Sequence, residues 1–594
     1  MADEEPVSQA PAATDLPLGT PPPVPGFLTR AARHGKIVIL LVCLALWLPE
    51  ILSLPALDRD ESRFAQSSRQ MLDSGNYVDI RFGQVPRYKK PAGIYWLQSA
   101  TTAIAGGGDH THIWTYRLPS LLGATAAALA IFWTASLFSA EAGLLAGLLT
   151  AASLLLSAEA TQATTDAALL GTIVFSQGVL FRLWRAARQD MPAPSLKLVM
   201  LGWAALAAGI LLKGPVAPGV VLMTIAVLAG WERWEKKRFD LKWLAATKPW
   251  RGLGVVVLMT APWAVAIALA SHGEFFQQSL GGDFAAKLAE GQEGHGQLPG
   301  YYLLVSSLTF WPMVLFVLPG VGLAFVRRAE PSIRFLIAWA AGWWLLVEIV
   351  PTKLPNYVLP AMPPLAILAA LWIMAARDEV APTSHQKWRR WLPIAAAVQS
   401  LAGLAAFTLA PFILPTRFGD GPAPWWLLAL AATGGLVGLT GVILVLAKKR
   451  LGGFIVTLAA MLILVPGLTA GVGPGLHQFW FTERLAEAAR KTRLPYDPPP
   501  ILAGYQEPSM VFALGKDVAL TDGKGAAELG LRQGGLALVD DENGAAFLAR
   551  LAELQGSAEP VDAVSGFNYS RGRASHVTLY RVAPLNPVAR PLPR

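Results

Sequence analysis

The chain has 594 residues, 54% of them hydrophobic and only 15% charged, with 21 Trp, an apolar content that no soluble domain of this size needs and that reads as a polytopic membrane protein. A formal net charge of +9 belongs, in such a protein, to Lys and Arg gathered in cytoplasmic loops, so no nucleic-acid partner is expected. The single cysteine, Cys43, lies within the first apolar stretch, which excludes a disulfide framework and a thiolate metal cluster.

Residues 1–36 are rich in Pro and Ala, lack apolar periodicity and end among Arg30, Arg33 and Lys36, so they read as a disordered cytoplasmic tail. Residues 37–54 lie too far from the start for a cleaved leader and read as a retained signal anchor. Thirteen further apolar stretches follow: 92–105, 118–138, 142–157, 167–183, 198–212, 216–231, 253–270, 301–326, 335–350, 357–376, 391–414, 425–446 and 454–472. If all fourteen crossed from a cytoplasmic N-terminus, the basic clusters after the fifth would lie outside, against the positive-inside rule. The stretch 92–105 is the one to remove. At ~1.5 Å per residue it covers about 21 Å of a ~30 Å hydrocarbon core. It also follows Lys89-Lys90-Pro91 and precedes three glycines. It reads as a helix lying in the outer interface or re-entering from that side.

About thirteen spans remain. Arg182 to Arg188, Arg233 to Arg251, Arg327 and Arg328, Arg377 with Lys387 to Arg390, and Lys448 to Arg450 then fall inside. The first outer loop (55–117), the loop around Asp166, the loop 271–300, the loop around Lys353 and the C-terminus fall outside. The expected architecture is an all-α polytopic membrane domain over 37–481, with juxtamembrane helices on its outer face, followed by a soluble α/β domain over 482–594. In the latter, 501–505, 518–521, 536–540 and 577–582 read as strands, and 526–533 and 545–554 as helices. It has no phosphate loop and reads as an accessory domain.

The polar residues of the outer face carry the functional argument. Asp58, Asp60 and Glu61 stand where the chain leaves the first span. Asp60 and Arg63 share a face if the segment is helical, and an ionised carboxylate there suits a general base; a solvated loop with local ion pairs suits it too. Arg87, Tyr88, Lys89 and Lys90 place cations on the side where Lys and Arg are normally scarce, which suits an anionic ligand such as a lipid phosphate, or else snorkelling to ordinary headgroups. Lys353 and Tyr357 lie in a Pro-bounded loop, consistent with irregular backbone lining a cavity or with a stiff turn. Asp166 opens a span, as a capping acid or a functional one, and Lys213 closes another, where its charge suits the helix dipole. The loop 273–299 is long enough for a lid; its Glu293 and His295 are too few to suggest an obligatory metal.

These pieces resemble a known family. Asp60-Glu61-x-Arg63-x-Ala65 with Arg69-x-Met71, Lys90-Pro91 with Tyr95-Trp96, Arg117-Leu118-Pro119-Ser120, Asp166, Lys213-Gly214, Pro262-Trp263, and Lys353-Leu354-Pro355-Asn356-Tyr357 are similar, in order and spacing, to the polyprenyl-phosphate-sugar-dependent membrane glycosyltransferases of the GT-C class. The nearest branch contains the bacterial lipid A aminoarabinose transferases and the relatives of the protein O-mannosyltransferases. The resemblance implies a GT-C fold and a catalytic carboxylate at Asp60, with Glu61 as its motif partner. It implies donor-phosphate contacts from Lys90 and Tyr357, joined by Arg87 and Lys353, and acceptor-side or orienting roles for Arg63, Asp166 and Tyr88. Where the aminoarabinose transferases carry an acid before Lys-Pro this chain has Lys89, which removes the acid that a metal there would use. The implied activity is that of an inverting hexosyl- or pentosyltransferase of the bacterial inner membrane, working on its periplasmic face. The implied partners are a polyprenyl-phosphate-sugar donor, a lipid, glycan or protein acceptor and membrane lipids, with no obligatory cofactor. The alternative is a transporter or flippase of the lipid-linked sugar, which would call for inverted repeats and polar residues near the bilayer midplane.

Overall fold

The computed structural model describes residues 24–284, 297–376 and 384–585. Among them, eleven helices are long and apolar enough to cross a membrane, from Gly35–Ser53 to Arg450–Gly475. Ala140–Ala151 and Leu154–Ala160, bent by 66° at the break between them, form a twelfth. Tyr301–Thr309 and Val314–Val326, joined through the turn at Trp311-Pro312, are each shorter than a membrane span, so the described residues hold eleven or twelve spans where hydropathy alone marks about thirteen. The chain is a multi-pass membrane protein, and its helices fall on the stretches that hydropathy marks out.

The helices sort polar residues to their two ends. At one end, Arg182 lies 3.2 Å over the Trp133 ring, Arg188 pairs with Glu232 at 2.9 Å, and Arg334 pairs with Glu235 at 2.8 Å. At the opposite ends of the same bundle stand Glu61, Asp166, Lys213, Lys353 and Tyr357. Two close approaches set this geometry. A Cβ on Gly123 would lie 2.3 Å from the Ala168 Cα, so only glycine lets the Ile113–Ala135 helix sit against the Asp166–Arg188 helix. A Cβ on Gly93 would meet the Leu211 carbonyl oxygen at 2.6 Å, which brings the short Gly93–Ala105 helix against the end of the Leu196–Lys213 helix.

Gly93–Ala105 has 13 residues and is not among the membrane-length helices. It packs on the Asp60–Ser74 helix through Ser68 Oγ to Gln98 Oε1 (2.7 Å) and Ser99 Oγ to the Ser68 carbonyl (3.0 Å). Polar pairs of this kind suit two helices lying together at the outer surface. Between them a two-stranded hairpin, β1 (Arg81–Phe82) and β2 (Val85–Pro86), turns the chain back toward Lys90.

The C-terminal unit is a five-stranded mixed sheet in the order β4-β3-β5-β7-β6: β3 is Ile501–Ala503, β4 Ala519–Thr521, β5 Gly535–Asp540, β6 Ala558–Asn568 and β7 Arg573–Val582. Phe481, Leu485 and Met510 fill one face of the sheet, while Ala527, Leu531, Phe547 and Leu551 fill the other. The unit docks on the end of the bundle that holds the Asp60–Ser74 helix: Arg69 donates to the Phe512 carbonyl at 3.2 Å, Gln84 to Asp517 at 3.0 Å, and Phe567 packs on Phe418 at 5.1 Å.

Candidate active site

Asp60 is the first residue of its helix, preceded by Arg59 at φ 63°. Its side chain is 67% exposed, and its carboxylate lies 3.7 Å from Arg63 and 3.9 Å from Arg87. Both distances are long for ion pairs, so the two guanidiniums keep the carboxylate in place while leaving it accessible. Arg87 spans the gap between the hairpin and Asp60 with its guanidinium 5.2 Å over the Phe64 ring. Its buried Nε makes no hydrogen bond among the described residues, and neither does the buried hydroxyl of Tyr95. Tyr95 packs on Phe64 at 5.4 Å, within electrostatic range of Arg87 and Asp60. A buried Arg87 Nε without a hydrogen bond, beside an exposed carboxylate, suits a polar ligand.

Glu61 is different, and the reading of it as a catalytic partner of Asp60 is corrected. It is 1% exposed and fully engaged. Arg117 donates to its two oxygens at 2.8 and 2.9 Å, and the backbone N–H groups of Leu57 and Ala163 each donate at 2.8 Å. Arg117 in turn donates to the carbonyls of Ile51 (3.1 Å), Leu54 (2.7 Å) and Pro55 (2.7 Å). Every strong donor and acceptor of the pair is used, so no lone pair of Glu61 remains for a substrate. The pair ties together the end of the first span, the start of the Asp60 helix and the loop that leads to Asp166.

Tyr88 is corrected as well. In the turn that follows β2 and Arg87, the Tyr88 hydroxyl donates to Asp79 at 2.8 Å and its ring meets Phe275 at 5.8 Å. Burial, then the neighbouring Asp79 carboxylate, push its phenol up to about 12. It braces the hairpin and does not face Asp60. Lys90 follows in the turn before Pro91, half-buried.

On the facing wall, Asp166 opens one helix and Lys213 closes the next, and the Lys213 ammonium binds both Asp166 oxygens at 2.6 and 2.8 Å. Asp166 thus neutralises a buried lysine; the helix N-cap, Thr165, makes no side-chain cap. Lys213 lies 5.6 Å over the Tyr357 ring, which places Tyr357 in the same group. Glu159, which accepts the Thr164 hydroxyl at 2.9 Å, lies within electrostatic range of Asp166, Lys213 and Asp60. Lys353 is 2% exposed and donates to the Val350 carbonyl at 2.6 Å. Among the described residues no carboxylate lies within ion-pair distance of it. A buried ammonium that has a single neutral acceptor gains from an anion beside it.

Asp58 belongs to the domain contact. Its backbone N–H donates to the Tyr569 phenol oxygen at 2.5 Å, and the Ser509 hydroxyl donates to its carboxylate. Burial, then the Glu507 carboxylate, raise its pKa from 3.8 to about 7, against the opposing pull of Tyr569, Thr482 and Arg59. The folded protein therefore holds a proton there that the unfolded chain has released. The stabilisation from this group is full below about pH 4, declines as pH rises toward 7 and is gone above that. The melting temperature of the detergent-solubilised protein is expected to fall across that window in the wild type and to fall less in Asp58→Asn. Identical pH profiles for the two would refute the assignment.

Glu293 and His295, considered as metal ligands, lie outside the described residues, as do Lys287, Glu290 and Arg377. Among the described residues no group of three or more His, Cys, Asp or Glu is placed to hold a metal ion. Sequence reasoning missed Glu159, which carries no motif, and saw Arg117 only as part of one. A lone Arg at the outer end of an apolar span was the available signal for Arg117, since such a residue needs a buried partner.

The arrangement of eleven or twelve membrane-length helices, short helices at one end and an appended sheet domain is the GT-C glycosyltransferase fold. It superposes on ArnT from Cupriavidus metallidurans bound to undecaprenyl phosphate with a TM-score of 0.67 at 19% identity, covering 94% of this chain and 98% of that one. Residues 89–267 match the family model of dolichyl-phosphate-mannose-protein mannosyltransferases. The chain is 28% identical over 372 residues to the undecaprenyl phosphate-alpha-4-amino-4-deoxy-L-arabinose arabinosyl transferase of Pectobacterium carotovorum, covering 61% of this chain and 63% of that protein. It is 27% identical over 320 residues to the Yersinia pestis protein of the same name, covering 53% of this chain and 54% of that one. The chain thus matches less than two thirds of the length of these relatives.

Proposed function

We propose that the protein is an inverting glycosyltransferase that moves a sugar from a polyprenyl-phosphate donor to an envelope acceptor (lipid A, a glycan or a protein) at the periplasmic face of the bacterial inner membrane. The observation that carries this reading is the exposed Asp60 carboxylate. It is flanked by Arg63 and Arg87, and Glu159 lies within electrostatic range of it and of the Asp166–Lys213 pair, over whose lysine the Tyr357 ring sits. The relatives' names, which specify an undecaprenyl-phosphate-linked sugar, agree with it.

Asp60 accepts a proton from the acceptor nucleophile, which attacks the anomeric carbon in line as the bond from that carbon to the phosphate oxygen breaks. The configuration inverts, and Arg87, Lys90 and Lys353 are proposed to meet the charge that the departing polyprenyl phosphate takes. With side-chain cations in that role, the reaction is proposed to need no obligatory metal. Asp166 keeps the Lys213 charge at home beside Tyr357, so that this wall stays polar without competing with Asp60 for its proton.

The test is a proteoliposome assay with a radiolabelled polyprenyl-phosphate sugar and an envelope lipid extract. Transfer of label to the acceptor with stoichiometric release of polyprenyl phosphate is expected. Movement of intact donor across the bilayer without cleavage would replace this reading with that of a transporter.

A further inference from the structure

A cavity of about 590 Å³ opens between the segment after the first span and the C-terminal domain. That volume is within the ~300–1,000 Å³ range of small-molecule sites. We propose that it is a saccharide subsite that anchors a sugar ring of the acceptor next to Asp60. This rests on the transferase reading above and goes beyond it by naming what the C-terminal domain contributes.

The cavity walls are those of a polyol site. Its floor is a hydroxyl and carboxylate chain: Ser509 donates to Asp58, and the Thr482 hydroxyl lies 2.7 Å from Ser509 and 2.8 Å from the Tyr505 phenol. Such a chain can both donate to and accept from sugar hydroxyls, because each hydroxyl in it can rotate. One wall is a flat aromatic platform, Phe479 stacked on Tyr569 at 4.4 Å and 7°. Trp114, half-buried, lines the cavity too, and its indole N–H has no acceptor among the described residues. Aromatic faces beside hydrogen-bonding groups match the alternating C–H and O–H faces of a sugar ring.

The charges exclude a phosphate. At the rim Glu483 and Arg490 form an exposed pair at 3.4 Å, and His112 pairs with Asp109 at 3.3 Å. With Asp58 on the floor, acids are at least as numerous as bases, and no cluster of Arg or Lys faces the space. The position fits an acceptor role. Asp58 lines the cavity and Asp60 is two residues on, at most about 7 Å along the backbone. The cavity also requires both domains, which accounts for a sheet domain that carries no catalytic pattern of its own.

Two measurements on the full-length protein in nanodiscs test the proposal. In transfer assays with donor saturating, Trp114→Ala and Glu483→Gln are expected to raise the acceptor KM about tenfold, with kcat changed far less and the donor KM unaffected; Trp114→Phe should recover most of the loss. In saturation-transfer NMR, chitobiose is the probe. It should receive signal from the wild type and lose it in Trp114→Ala, while methyl phosphate receives none. Unchanged acceptor KM in both variants would overturn the proposal, as would chitobiose signal that survives Trp114→Ala. If the wild type cleaves no donor but binds chitobiose through Trp114, the transferase reading falls and the saccharide site stands without its acceptor role. If it cleaves donor and shows no Trp114-dependent binding, the subsite falls alone.

Discussion

Arg117→Met is expected to be the most destabilising single substitution on the outer face, lowering stability by about 3–5 kcal/mol, as when one partner of a buried ion pair is removed. Glu61 would keep a buried charge with only the Leu57 and Ala163 N–H groups to hold it, and the carbonyls of Ile51, Leu54 and Pro55 would lose their donor. Glu61→Gln should cost less, because an amide keeps one acceptor oxygen and the shape of the site. Combining the two should cost less than the sum, since the substitutions share one network. Thermal unfolding in detergent, followed by tryptophan fluorescence, measures all three. A melting temperature for Arg117→Met within a degree of wild type would show that the pair does not hold the outer layer together.

Asp60→Asn is expected to behave in the opposite way. The residue is exposed and its ion pairs are long, so about 0–1 kcal/mol of stability is at stake. As the proposed general base it carries about 10²–10⁴-fold of the rate. The variant should therefore fold, melt and bind polyprenyl phosphate like the wild type while transferring sugar at least a hundredfold more slowly. Transfer at the wild-type rate would remove Asp60 from the mechanism. Two adjacent carboxylates are thus predicted to separate cleanly, position 60 affecting rate and position 61 affecting stability.

That separation shows where reading the chain stops. Asp60 and Glu61 are chemically alike and adjacent, and nothing in their spacing says which points inward. Helix geometry decides it, by turning successive side chains about 100° apart, so that one meets Arg117 and the other the solvent. The same holds for Arg87 and Tyr88, neighbours just after β2: the turn at Tyr88 carries its ring to Asp79 and Phe275, while Arg87 reaches Asp60. Lys213 looked like a residue suited to a helix dipole; its real partner, Asp166, is 47 residues away and is brought to it by the close packing of their helices.

Strand β6 was missed for a related reason. Pro560, two acids nearby and Gly566 break the alternation of residues 558–568. An edge strand with β7 as its single neighbour tolerates them, because its outer hydrogen bonds face water. The central strands β3 and β5 were legible because buried strands must be continuously apolar, and both are buried along their whole length.

What the sequence determined by itself is what a bilayer imposes one segment at a time: a multi-pass helical bundle, an apolar stretch at 92–105 that is too short for a full span, and the gathering of Asp60, Asp166, Lys353 and Tyr357 at the ends of spans. Each depends on the local free energy of placing side chains in hydrocarbon or water, which needs no knowledge of neighbours. Which of those polar residues stay exposed, which are spent on one another, and that the C-terminal sheet closes a cavity over Asp58 were decided by the tertiary structure. Hydrogen bonds and ion pairs act over about 3 Å, and only packing brings residues distant in the chain within that reach.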